Sequence, residues 1–69
     1  MNLIKVRFLK NDTPYGRAYT YIANDDFEVG DVVQINESAK GIVIEINVDE
    51  SEVVGFADKL KAVIGKVVD

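Results

Sequence analysis

In "LIKVRFLK", Leu3 to Lys10, apolar and charged side chains trade places one by one. Ile4, Val6 and Phe8 fall on one side and Lys5, Arg7 and Leu9 on the other, the period-two pattern of a half-buried strand. The next six residues, "NDTPYG", collect turn formers and predict a loop or hairpin bend over Asn11 to Gly16. "RAYTYIA" is rich in residues that fit a pleated surface and predicts a second strand, with Arg17, Tyr19 and Tyr21 on one face and Ala18, Thr20 and Ile22 on the other. An acidic interruption, "NDDFEVGD", ends on Gly30 as a tight turn, and Phe27 and Val29 are expected to tuck it onto the core. "VVQI" then forms a third strand. After "NESAKG", a turn closed by Gly41, the strongest alternation in the chain sets Ile42, Ile44, Ile46 and Val48 against Val43, Glu45, Asn47 and Asp49, predicting a fourth strand with one buried face.

The remainder reads two ways. Val53, Phe56, Ala57, Leu60 and Ile64 recur at helical spacing with Ser51 available as an N-cap, whereas "AVIGKVV" has the β-branched content of a strand. The expectation is a short helix or helical turn near residues 53–60 and a last strand near 62–68. Five short strands that each bury one face close most economically as a small twisted barrel, so the fold class is mostly β and residues 1–69 form a single β-barrel domain.

Composition narrows the function more than it names it. At 48% hydrophobic, 29% charged and a mean hydropathy of +0.04, the chain is that of a folded soluble domain. No apolar run is long enough to span a membrane, and the alternating start is unlike a signal peptide. Without cysteine or histidine, neither a disulfide nor the usual nucleophile and base pairs are available. With no phosphate-binding glycine loop either, the sequence predicts a non-enzymatic, cytoplasmic protein with no cofactor and no metal. Asp25, Asp26, Glu28 and Asp31 lack the ordered ligand spacing of a calcium loop and read as a solvated acidic loop, as do Asp49, Glu50 and Glu52.

The net charge of −4 argues against a non-specific duplex binder, whose affinity comes from phosphate neutralisation. Charge is nonetheless unevenly placed. Residues 1–17 are net +3, residues 18–58 carry Lys40 against ten carboxylates, and residues 59–69 return to +2. A basic face, where one exists, is built from the two ends of the chain.

Tyr19, Thr20 and Tyr21, the interrupting loop, "VGDVVQI", "GIV" at Gly41 to Val43 and "LKAV" at Leu60 to Val63 follow one another in an order that resembles the small N-terminal domain of the bacterial primosomal replication-restart helicase, which binds the 3′ end of a DNA strand. The resemblance implies a small β-barrel and a terminal-nucleotide pocket bordered by Tyr19, Thr20, Tyr21 and Gly30, with Lys40 as a phosphate contact. Thr20 stands where that family has an acidic residue, and the helicase motor is absent.

Two binding functions follow. The leading expectation is an interaction module, of the kind common in phage and mobile elements, whose protein partner docks on an exposed strand edge or on the acidic face. The alternative is a single-stranded or 3′-end DNA binder that stacks bases on Tyr19 and Tyr21 with Arg17 and Lys40 on phosphates, supported by Lys5 and Arg7. Residue preferences favour at least one tyrosine as core filling with its hydroxyl at the rim. The chain is expected to be a monomer or a weak homodimer.

Overall fold

The structure is a computed structural model that describes residues 2–55 and 57–67. Five antiparallel strands form one sheet: β1 (Leu3–Lys10), β2 (Thr13–Ile22), β3 (Val32–Gln34), β4 (Lys40–Glu45) and β5 (Gly65–Lys66), in the spatial order β2-β1-β4-β3-β5. In place of the helix or helical turn predicted near residues 53–60 there are two short 3₁₀ turns, Glu50–Val53, which ends where that range begins, and Ala57–Lys59 within it. The first is capped by Asp49 rather than by Ser51. The Ser51 N–H donates to the Asp49 carboxylate at 2.8 Å, which, together with the Ser51 side chain, holds that carboxyl below its ordinary pKa. Phe56 and residue 68, both assigned to elements from the sequence, lie outside the described residues. No helix among the described residues is long and apolar enough to cross a membrane.

The β1–β2 connection is tighter than the sequence suggests. Only Asn11 and Asp12 form the turn, with φ of 52° and 62°, and Lys10 pairs directly with Thr13. Two consecutive left-handed residues match the twist of the flanking strands, the geometry of a two-residue hairpin. Pro14 and Gly16 therefore belong to β2. Gly16, at φ 71°, sits in a bulge where the register with β1 slips, so that Phe8 faces Tyr15 while Arg7 faces Ala18. Arg7 Nε donates to the Gly16 carbonyl at 3.1 Å and holds the bulge. Because Asp12 bears a Cβ in a backbone region suited to glycine, Asp12→Gly is expected to stabilise the protein by about 0.5 kcal/mol. A thermal melt checks this; a lowered midpoint would contradict it.

The main core lies on one face of the sheet. Ile4 and Val6 of β1, Val33 of β3 and Val43 of β4 meet Ala23, Phe27, Ile35 and Val63 there, all nearly inaccessible. Phe27 docks the acidic loop as expected, but Val29 is 62% exposed. On the other face Leu3 joins Val48 and Val53, with Ile22 and Leu60 packed against them. Both Leu3 and Ile4 are thus buried, and the first 3₁₀ turn covers the reverse side of β1.

The buried face of β4 is the opposite of the one the alternation predicts. Val43 is buried opposite Val6 and Gly41 opposite Phe8, whereas Ile42 faces Arg7 and Ile44 is 40% exposed. A register slip between Lys5 and Val6 sets one extra β4 residue there, and past it Ile46 packs on the main core while Val48 is buried on the other face beside Leu3.

The sheet is not closed into a barrel. Edge strand β2 touches only the segment leading into β5, through an isolated parallel bridge, Ile22 to Ala62. The Ile22 N–H donates to the Lys61 carbonyl at 2.9 Å and its carbonyl accepts from the Val63 N–H at 3.2 Å. On its other side the same segment bonds β3, with the Ile64 N–H on the Gln34 carbonyl and the Val67 N–H on the Val32 carbonyl. Inwardly placed here is Val63, while Ile64 is 58% exposed.

Candidate functional site at the open edge of β2

Because paired residues share a face, Tyr19 and Tyr21, opposite Val6 and Ile4, project on the core side of the sheet, and Tyr15, opposite Phe8, joins them. The core does not extend far enough to cover all three. Tyr21 packs against the core cluster, and burial pushes its phenol above the ordinary pKa, with Tyr19 adding to the shift. Tyr19 and Tyr15 are half exposed, at 50% and 48%. Phe8 meets Tyr19 edge-on, with ring centroids 5.8 Å apart, a favoured aromatic geometry. Around these rings, with Gly16 and Arg17 at one end, lies a shallow groove of about 300 Å³.

A second cleft of about 440 Å³ runs along the outer edge of β2. Its walls are β2 from Arg17 to Tyr21 and the segment Lys59, Leu60 and Lys61, which diverges from β2 just before the Ala62 bridge. Antiparallel neighbours exchange both main-chain bonds at every second residue and none between. Ala23 donates its N–H to Asn2 across the pair, whereas Ile22 turns both main-chain groups toward residues 61–63. Two and four residues earlier in the same unbroken register, Thr20 and Ala18 point their N–H and C=O the same way, into the cleft. Thr20, half-buried and opposite Lys5, faces the reverse side of the sheet from Tyr19 and Tyr21.

The other residues singled out from the sequence lie elsewhere. Lys5 and Arg7 alternate to the reverse face of β1. There Lys5 donates to Glu52 at 2.8 Å and lies 3.9 Å from Glu45. The bond to Glu52 is the main reason that its ammonium sits above the ordinary pKa; desolvation opposes this, and the charges of Glu45 and Glu52 add to it. Gly30 and Lys40 border a separate groove of about 560 Å³ with Leu9, Pro14, Asp31 and Val67. The sheet order explains the separation: β1 stands between β2 and the β4–β3 pair. Gly30, at φ 98°, serves its turn and donates its N–H to the Val43 carbonyl.

Carboxylates of the acidic loop satisfy neighbouring backbone, Asp25 accepting from the Asp26 N–H and Asp31 from the Glu28 N–H, and Lys66 lies 3.5 Å from Asp31. Among the described residues no three such side chains stand close enough to hold a metal ion.

Lys59 and Lys61 were not singled out individually. Their signal was the basic excess at both ends of the chain, which here meets Arg17 across the cleft. No protein-family model matches the chain, and no curated protein or solved structure is found to be similar to it.

Proposed function

We propose that the protein is a non-enzymatic, cytoplasmic interaction module that takes an extended segment of a protein partner along the open edge of β2. The observation that carries this reading is the run of main-chain groups at Ala18 and Thr20, directed into a cleft with no backbone partner among the described residues. An added strand satisfies such groups, and flanking side chains select its sequence. In this reading the fold is an incompletely closed small barrel, resembling in outline the primosomal 3′-end-binding domain; the Ile22–Ala62 bridge supports the near-closure.

The second reading, a single-stranded or 3′-end DNA binder, is favoured by the groove of Phe8, Tyr15 and Tyr19 beside Arg17, where bases have rings to stack on. It has less support than the first. Lys5 is engaged by carboxylates on the other face, and Gly30 and Lys40 line a different groove.

One experiment separates the two. Linear peptides selected from a random library are expected to slow hydrogen exchange at the Ala18 and Thr20 amides and to leave the Tyr19 amide, already bonded to β1, unchanged. Selected peptides that leave both edge amides unprotected would refute the strand-edge reading. In parallel, short single-stranded DNA with free and blocked 3′ ends is titrated. Saturable binding that depends on a free 3′ end and weakens about tenfold or more in Tyr19→Ala would establish the second reading instead.

A further inference from the structure

The cleft beside β2 differs in charge from the protein around it. Arg17, Lys59 and Lys61 stand at its walls, and among the described residues no carboxylate lines it, although the chain as a whole is net −4. Ion pairs elsewhere engage Lys5 and Lys66; among the described residues none of the three cleft cations lies within ion-pair distance of a carboxylate. Asp58, on the second 3₁₀ turn, is the neighbouring acidic residue in sequence and does not line the cleft.

We propose that the segment received here is acidic: a short extended stretch rich in Asp and Glu, paired to Ala18 and Thr20 through its backbone and held by Arg17, Lys59 and Lys61 through its side chains. The inference rests on the strand-edge reading and adds the chemistry of the partner. Cations without a carboxylate partner among the described residues of a carboxylate-rich protein attract a complementary chain, steer its approach and disfavour basic competitors. A second copy of this protein suits the cleft poorly, because pairing two β2 edges would bring two sets of these cations together. A nucleic acid also carries negative charge, but it has no alternating N–H and C=O to offer Ala18 and Thr20.

The probes are four labelled octapeptides and one oligonucleotide, titrated by fluorescence anisotropy against the full chain at low and moderate salt. The peptides alternate Glu with Val, Gln with Val and Lys with Val, and the fourth is the Glu peptide N-methylated at alternate residues to block main-chain pairing. The oligonucleotide is a short oligo-deoxythymidylate. The Glu peptide is expected to bind about tenfold more tightly than the Gln peptide at low salt, as three exposed charge pairs allow, and to lose that advantage as salt rises. Lys59→Glu with Lys61→Glu, both outside the strands, is expected to reverse the order so that the Lys peptide binds best, with circular dichroism unchanged.

Equal binding of the Glu and Gln peptides, with binding of the Glu peptide abolished by N-methylation, would overturn the acidic specificity and leave the strand-edge reading standing. N-methylation without effect, or no binding by any peptide, would overturn that reading and the inference with it. Oligo-deoxythymidylate that displaces the Glu peptide and outbinds it would overturn both in favour of nucleic acid.

Discussion

Gly41→Ala is expected to destabilise the protein by about 3 kcal/mol or more, a large part of the roughly 3–10 kcal/mol that a chain of this size commands. The residue faces the core beneath β1. A Cβ there would collide with Val6 Cγ1 and stand 2.6 Å from Ile35 Cδ1 and 2.9 Å from the Arg7 carbonyl oxygen. Two of these neighbours are core side chains with few alternative rotamers, and the third is main chain of the paired strand, so relief requires parting β1 from β4. Backbone conformation plays no part, since Gly41 lacks the positive φ seen at Gly16 and Gly30. The melting midpoint should fall by about 10 °C or more, read by circular dichroism. A midpoint within about 3 °C of wild type would mean that β4 can shift outward, and would place the slack in the Ile44 bulge.

Phe27→Ala should have a comparable effect through the opposite fault, a void. Phe27 is 5% exposed and is the only buried side chain of residues 24–31, a loop that also carries Asp25, Asp26, Glu28 and Asp31. Truncating a buried phenylalanine costs about 3–5 kcal/mol through lost transfer energy and the cavity left behind. Here the loop also loses its anchor, so its carboxylates are freer to separate and the void is less readily refilled from above. A urea titration should show a lower midpoint, with Phe27→Leu falling between wild type and Phe27→Ala. An unchanged midpoint in the alanine variant would show that the loop contributes little to the core.

The strands were legible where one face of a segment is apolar and nothing interrupts the count. Ile4 and Val6 in β1 followed directly from period two, and the start of β3 from the turn at Gly30. Interruptions of a single residue defeated the same method. In β4 the larger isoleucines suggested an inward face that sterics forbid: Gly41 must lie against Val6, which fixes Val43 inward, the bulge at Ile44 restores the phase for Ile46, and past the left-handed Asn47 the chain buries Val48 beside Leu3 instead. "NDTPYG" read as a loop because proline and glycine punctuate chains. In the structure two left-handed residues make the turn, and the other signals mark an edge proline and a bulge.

The site was legible by parts. Arg17, Tyr19 and Tyr21 could be grouped because they share a strand. Grouping Gly30 and Lys40 with them required strand order, a non-local property that one sequence does not display. The contribution of Lys59 and Lys61 was visible only as a bulk excess of positive charge, because the bridge that brings residue 62 to β2 leaves no local pattern.

Under the proposed strand-edge reading, the irregularities of β2 would also set how long a partner stays. In the unslipped stretch beyond the turn, Pro14 occupies an edge-facing position and has no N–H to offer; the Gly16–Arg17 bulge then breaks the ladder, and Ile22 is already taken by residues 61–63. The usable edge shrinks to Ala18 and Thr20. So short a template guards against runaway self-association, and it holds any single segment by only a few main-chain bonds. Residence times should accordingly be brief. Durable attachment would come from avidity, with several acidic segments on one partner rebinding in turn, so that the spacing between them governs occupancy more than the strength of any one.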